Sequence, residues 1–512
     1  MVETGKAQVV SQEDTIDLLV IGGGINGVGV ARDAAGRGLT VTLCEKGDLG
    51  EGTSSRSGKY IHGGLRYLEY YEFRLVREAL IEREVLLEAA PHITWPMRLV
   101  LPHSPEQRPR WLIRLGLFVY DHLGGRKRLP ATRLVDLRTA PEGRPVRAKF
   151  TKAFEYSDVW VDDSRLVVLN ALDAAERGAT ILPRIACISA RRDGGLWRAT
   201  LQDSETGQTS EIRARAIFNA AGPWVEDVLG RVAGVNSSRR VRLVKGSHII
   251  LKRWWTGDHS YVLQNTDKRL IFVNAYFDDL ALVGTTDVPF EGRPEDVAAD
   301  RDEIGYLLDV LNRYFEVDLK PADVIHAYSG VRPLYDDDST KNASAVTRDY
   351  TFELDGGPGR APIISAFGGK ITTYRKLAEH GLDDLRGFFP AMGQRWTAGA
   401  PLPGGAMAGA DYDHWFTDFT KRHPWLPEPL ARHYGRAYGT RADELLSGAG
   451  SLAELGRHFG ALFYQREAEW LVAREGARTA EDMLFRRTKH GIFLSDAERE
   501  DFVTWMRVDK AA

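Results

Sequence analysis

The chain has 512 residues, with 68 Lys+Arg against 71 Asp+Glu, a formal net charge of −3, 43% hydrophobic residues and 27% charged ones. At roughly 150 residues per domain this is about three domain-sized units, or one large α/β body with an appended piece. The composition excludes general disorder, collagen-like repeats and a disulfide scaffold, and the near-balanced charge gives no general attraction to nucleic acid.

The polar start, with Glu3, Glu13, Asp14 and Asp17, lacks the basic and then apolar order of a secretory signal and points to the cytoplasm. No apolar run approaches the ~18–20 residues of a spanning helix. Cys44 and Cys187 stand far apart, and the 13 histidines show no ligand spacing, so no metal site is expected. Glycine, at 51 residues, is in excess of the usual share of about 7% and asks for backbone that something approaches closely.

In chain order, residues 16–21 predict a strand, 28–37 a helix stopped by Gly36 and Gly38, and 39–44 a second strand, the βαβ order of a parallel sheet. Residues 216–218, 248–251, 270–273 and 280–283 predict further strands and a sheet-rich middle. Residues 391–410, with Pro401, Pro403 and clustered Gly and Ala, read as a linker. Beyond it, Thr479 with Asp482 and Ser495 with Glu498 are capping-box patterns, so the tail over 411–512 reads as helical.

Gly22-Gly23-Gly24-Ile25-Asn26-Gly27 satisfies G-x-G-x-x-G between the first strand and the first helix, and Glu45 ends the second strand eighteen residues after Gly27. Gly22 suits the tight turn, Gly24 the approach of a pyrophosphate and Gly27 close helix–strand packing, with phosphates on the helix N-terminus. Glu45 would take the adenosine ribose and disfavour a 2′-phosphate, which argues against NADP. The motif alone does not separate FAD from NAD. The strand-to-small-residue segment ending in Ala221, Gly222 and Trp224, and a helix start after Gly369-Lys370, suggest a cofactor touched by the first, middle and last parts of one body, which suits a long buried FAD. A P-loop fails at Gly52 to Lys59 because the glycine spacing is wrong and Tyr60 replaces Ser or Thr; G-x-S-x-G and H-E-x-x-H are absent.

Together with this fingerprint, SGKYIHGGLRYLE (57–69), YDHLG (120–124), VDDSRL (161–166), KGSH (245–248), GTTD (284–287), YSGVRPL (328–334), TRDY (347–350) and FGGKITTYRKLAEH (367–380) closely resemble the bacterial aerobic, FAD-dependent glycerol-3-phosphate dehydrogenases, from about residue 17 to 487. The resemblance implies a D-amino-acid-oxidase-like α/β fold. A Rossmann-like FAD domain over 1–390, with core segments 14–90, 150–245 and 325–390, would interleave with a β-rich substrate domain of about 91–149 and 246–324, followed by a helical C-terminal cap.

It also implies oxidation of sn-glycerol 3-phosphate to dihydroxyacetone phosphate, hydride passing to flavin N5 and electrons onward to membrane ubiquinone or menaquinone, while a base takes the hydroxyl proton. A phosphate dianion calls for an arginine clamp, and the matched motifs point to Arg332 and Arg66 for substrate, with Lys370 beside flavin and substrate. His248 and Arg332 are the candidate bases; Tyr67 and Thr285 are weaker substrate contacts. The expected cofactor contacts are Gly22, Gly24, Asn26, Gly27, Glu45, Thr53, Ser54, Ser57, Lys59, His62, Gly64, Leu65, Ala221, Gly222, Trp224, Arg332, Gly369, Lys370 and Thr372.

Two departures from the family pattern stand out. Gly58 takes the place of a second serine before Lys59, and Asn274-Ala275-Tyr276 stands where the family often reads Ile-Pro-Trp. Both bear on local pocket shape. The segment 108–120, with Trp111, Phe118 and Tyr120 and followed by Arg126-Lys127-Arg128, suits an anionic membrane interface on the cytoplasmic side, with Trp111 and Tyr120 at headgroup depth. A buried helix with basic ends is the competing reading. The resemblance is compatible with a homodimer through the cap. An oxygen-using glycerol-3-phosphate oxidase, an amine or amino-acid oxidase, and a non-catalytic FAD-binding protein are the alternative functions.

Overall fold

A computed structural model describes residues 15–237, 239–336 and 349–509. The strands Arg360–Gly368, Thr209–Asn219, Thr15–Ile21, Val41–Glu45 and Thr180–Pro183 run parallel in that spatial order, the expected doubly wound core. They read as near-continuous apolar runs because both faces are buried, as in Leu18 to Val20. The helices Ile25–Gly36, Asp163–Glu176 and Tyr374–Asp384 cover one face, where Val28, Leu166 and Leu377 meet the strands. On the other face Trp197, Val225 and Leu229 close a second cluster against the antiparallel strands Ile185–Asp193 and Leu196–Asp203.

The first helix begins at Ile25, three residues before the position its apolar pattern suggests. Gly27, read as a close-packing glycine, and Gly29 are both contact points: a Cβ at 27 would come 1.8 Å from the Gly22 carbonyl oxygen, and one at 29 would come 2.7 Å from the Tyr374 ring. Close packing outweighs the cost of about 1 kcal/mol that glycine carries in a helix.

Among the described residues the second sheet has ten strands; Arg240–Lys252, Leu280–Gly284 and Leu270–Tyr276 contain the remaining expected middle strands, and Ser260–Gln264 is an additional one. Lys152–Val161 and His326–Asp336 belong to this sheet, although they fall in segments read from sequence as FAD-domain core. Each strand joins the ladder its backbone pairs with, and both chain segments cross between the sheets. The helix Arg301–Tyr314 buries Leu307, Leu311 and Tyr314 against one face. The opposite face, with Tyr60, Phe272 and Tyr328, turns toward the cofactor body.

The tail forms a separate helical core around Tyr434, Leu471 and Phe502. Its last helix, Asp496–Asp509, opens with the expected Ser495/Glu498 box. The Thr479/Asp482 box forms too, but heads into a π-type turn, Asp482–Arg487. The wider turn brings two consecutive arginines, Arg486 and Arg487, onto the single carboxylate of Asp48, at 2.7 and 2.8 Å. Arg184 pairs with Asp482, Lys489 with Asp162, and Arg165 with Glu475, so buried ion pairs fill the seam between cap and body. The linker segment is packed down: Leu402 and Thr397 are buried, and Leu402 N–H bonds the Ala89 carbonyl.

Candidate active site

Gly22 sits at φ +111°, and a Cβ there would be 2.6 Å from the Ala220 carbonyl oxygen, so the glycine turn leans on the segment that continues into Ala221 and Gly222. Glu45 accepts hydrogen bonds from Gly23 N–H at 2.6 Å and Gly47 N–H at 2.8 Å. That uses about half of a carboxylate's acceptor capacity and leaves the rest for ribose hydroxyls. Burial pushes its carboxyl upward.

Ser54 accepts from the Ile25 N–H at 2.9 Å, and Thr53 donates to the Val331 carbonyl at 2.6 Å, which folds the 53–54 loop over the helix start and ties it to the strand carrying Arg332. The Oδ1 of Asn26 is buried without a hydrogen-bond partner among the described residues, 3.8 Å from where a Cβ on Gly369 would stand. A cradle of glycines, an unsatisfied amide oxygen and an acid at the second strand's end fit a dinucleotide. Trp224 lies at this end as well, its indole donating to Glu295 at 2.8 Å beneath the Lys46 ammonium.

Ser57 and Lys59, expected at the cofactor, direct their side chains to Asp163 at 2.7 Å each. Burial alone would push the Lys59 ammonium down; the Asp163 carboxylate, together with Tyr276 and Asp162, more than offsets it and holds it above the ordinary lysine range. His62 N–H reaches the Thr372 hydroxyl at 3.3 Å, joining the loop to the segment after Lys370. Gly64, at φ +73°, starts the turn Leu65–Tyr70, where a Cβ would strike the Tyr67 ring at 2.2 Å. Leu65 packs beside Tyr67 on the sheet. The Lys370 ammonium stands 3.9 Å over the Tyr67 ring. The Arg66 side chain lies outside the described residues.

Arg332 pairs with Asp287 at 2.8 Å and donates to the Thr286 carbonyl at 2.7 Å. Its guanidinium and the Thr285 hydroxyl converge over Gly246, where a Cβ would come within 2.3 and 2.6 Å of them. His248 stacks on Tyr328 with ring centres 5.0 Å apart, and Gly284 leaves room for its ring, since a Cβ there would come within 2.1 Å of it. Burial, then the charges of Arg332 and Lys59, lower its pKa to about 3, so the imidazole is neutral at pH 7. Arg332, Thr285 and His248 therefore form one cluster; Lys370 and Tyr67 form another; Trp224 belongs to the nucleotide end.

Several contributors were missed at the sequence level. Asp163 and Asp287 sit inside motifs that were read, but only a buried cation reveals what their acids do. Tyr120, expected at a membrane headgroup, is instead 1% exposed, donates to Asp158 at 2.8 Å and accepts from Gly63 N–H at 2.8 Å. A buried hydroxyl needs partners that lipid headgroups would have to supply, and Asp158 supplies them. Trp111, Leu115 and Phe118 of the same helix, Arg110–Leu123, are exposed. Among the described residues His433, Glu467 and His490 have ligand spacing, a group that the histidine spacings in sequence hid; it is knit by a 2.6 Å His433–Glu467 contact and a Tyr438–Glu467 bond of 2.7 Å.

These features define a dinucleotide-binding site, and the family match makes it that of a flavin-dependent oxidoreductase. The family model described as "FAD dependent oxidoreductase" matches residues 17–375, and that of the "C-terminal domain of alpha-glycerophosphate oxidase" matches 396–503. The chain belongs to this family of FAD-dependent oxidoreductases, and FAD is its cofactor. It is 61% identical to a D-erythritol 1-phosphate dehydrogenase of Brucella abortus, over 97% of this chain and 98% of that one. It is 51% identical to a glycerol-3-phosphate dehydrogenase of Pseudomonas aeruginosa, over 95% and 94%. Its fold matches the FAD-complexed glycerol-3-phosphate dehydrogenase of Bacillus halodurans with a TM-score of 0.75 at 24% identity, covering 97% and 95% of the two chains.

Proposed function

We propose that the chain oxidises the secondary alcohol of a short polyol phosphate: sn-glycerol 3-phosphate to dihydroxyacetone phosphate, with electrons passed on to ubiquinone or menaquinone. The observation that carries this reading is the convergence of Arg332, Thr285 and His248 in the sheet facing the dinucleotide cradle. Bound FAD supplies the hydride acceptor.

Arg332, oriented by Asp287, and Arg66 hold the phosphate, since a planar guanidinium fork matches its oxygens. An arginine stays protonated at neutral pH, which leaves His248 as the group that accepts the hydroxyl proton. A phosphate dianion beside Arg332 offsets the guanidinium's effect on His248 and raises the proton affinity of the imidazole when substrate is bound. Lys370, over Tyr67, orients substrate against the flavin.

D-erythritol 1-phosphate is a second reading of the substrate, favoured by the 61% identity to the Brucella abortus enzyme. Membrane contact is supported by the exposed Trp111, Leu115 and Phe118 on a helix whose other face is buried; no helix among the described residues is long and apolar enough to cross a membrane. A homodimer through the helical cap remains part of this reading, as does an inner-face, peripheral location.

The test is anaerobic addition of each polyol phosphate to the yellow holoprotein, followed by reoxidation with quinone or oxygen. Flavin bleaching and quinone-dependent return of colour are expected. No bleaching with either substrate sinks the reading, and rapid return with oxygen and peroxide release replaces it by an oxidase.

A further inference from the structure

The two departures from the family pattern lie 216 residues apart in sequence and meet at one side chain, Tyr60. A Cβ on Gly58 would come 2.6 Å from the Tyr60 ring, so the ring occupies space that a serine at 58 would claim. The same Cβ would be 3.4 Å from His248 Nε2, which puts this corner beside the proposed base. At its far end the Tyr60 hydroxyl accepts a hydrogen bond from Asn274 Nδ2. Gly58 makes room for the ring, and Asn274 fixes where it points.

The pair is buried, Asn274 at 1% and Tyr60 at 8% exposure, yet incompletely satisfied. Asn274 Oδ1 has no donor among the described residues. The Tyr60 hydroxyl, having accepted from the amide, keeps its own hydrogen to give. A buried amide oxygen left unmade is costly, about 1–3 kcal/mol, which an apolar residue at 274 would avoid. One acceptor and one donor side by side are the complement of an alcohol hydroxyl, which gives one hydrogen bond and takes another.

The sheet register sets the distance. His248, Gly284 and Phe272 lie in one row across three strands, and Asn274 lies two residues further along. That is about 6.6 Å at a strand's rise per residue, and Tyr60, 4.6 Å from Phe272 between ring centres, bridges the two rows. With the reacting carbon placed at His248, one more carbon, its hydroxyl and a hydrogen bond of about 2.8 Å would together span most of that distance toward Asn274.

We infer that the Tyr60–Asn274 pair, admitted by Gly58, recognises the additional hydroxyl of a four-carbon polyol phosphate and sets substrate length. This rests on the proposed reaction and adds the determinant of its substrate class. The test uses the purified holoenzyme with sn-glycerol 3-phosphate and D-erythritol 1-phosphate, comparing the second-order rates of flavin bleaching. In parallel, the three- and four-carbon ketose phosphates are titrated into the oxidised protein and their dissociation constants read from the flavin difference spectrum. The four-carbon compounds are expected to be preferred, and Asn274→Leu and Tyr60→Phe each to lower the four- to three-carbon ratio by about tenfold to a hundredfold. Should Asn274→Leu fail to hold FAD, Tyr60→Phe, which keeps the ring, decides alone. A wild-type preference for three carbons, or an equal loss for both lengths in Tyr60→Phe, overturns the inference. If neither substrate bleaches the flavin, the reaction reading fails, and the ketose titration still decides: a four-carbon preference lost in Tyr60→Phe upholds the pair's role, while equal affinities overturn it.

Discussion

Replacing Asp163 by Asn tests the loop that supports the site. Its carboxylate accepts from Lys59 Nζ at 2.7 Å, Ser164 N–H at 2.8 Å, Ser57 Oγ at 2.7 Å and Ser57 N–H at 3.1 Å. The amide keeps the volume but removes the charge, stranding a lysine whose side chain is 5% exposed. Breaking one partner of a buried pair costs about 3–5 kcal/mol, because the remaining charge is left uncompensated. At about 2–4 °C per kcal/mol for large domains, the melting temperature should fall by about 6–20 °C. Lys59→Met should cost less, since Asp163 retains three donors. In the double variant neither charge remains, so the combined loss should be smaller than the sum by about 2–3 kcal/mol. Urea unfolding with FAD in excess, followed by tryptophan fluorescence, measures all four corners. Flavin fluorescence gives the FAD dissociation constant, which should rise in Asp163→Asn because the same loop carries Gly58 and the His62 N–H. A loss below about 1 kcal/mol, or an additive cycle, would refute the argument.

Gly27→Ala should yield protein without flavin, since its Cβ would meet the Gly22 carbonyl oxygen at 1.8 Å; the ratio of flavin to protein absorbance reports it. Arg332→Lys should lower kcat/KM by about 10²-fold or more through the lost bidentate geometry, with FAD content retained; a change under threefold would remove Arg332 from the clamp. Asp158 is raised to about 6 by burial, against the partial relief of Arg83 and Tyr120. Its contribution to stability is therefore fully present below about pH 4 and lost as pH rises through 6, by about 3 kcal/mol. Denaturation midpoints of wild type and Asp158→Asn should diverge across that window, and parallel profiles would contradict the assignment. Replacing Trp111, Leu115 and Phe118 by Ser should reduce sedimentation with anionic vesicles without shifting the melting temperature; unchanged sedimentation would clear this helix of lipid contact.

What sequence carried best was local. The glycine fingerprint works through neighbours within a few residues, so Gly22, Gly24 and Gly27 were readable as a cradle before any coordinates, and the apolar runs of the parallel strands were equally plain. Long-range pairing was not. Asp48 and Arg487 are 439 positions apart, and no spacing announces that they share a buried bond. Tyr120 shows a subtler failure: an aromatic on a stripe with basic flanks reads the same whether its hydroxyl faces headgroups or a buried acid, and only Asp158 decides. Ser57 and Lys59 stood in a recognised motif whose side chains turn to Asp163. The Gly58 and Asn274 departures were legible as departures, but their shared contact with Tyr60 was not.

The seam between body and cap bears on how such a chain can be divided. Asp48, Asp482 and Glu475 are buried there, each neutralised by an arginine from across the boundary or beside it. Cutting the chain near the linker would separate these acids from their arginines and open two raw faces whose packing was built around the pairs. Each half would inherit a liability that only the other half cures. The C-terminal helices are thus not a detachable accessory, and gene fission, domain exchange or truncation at this point should give less stable pieces unless both are made together.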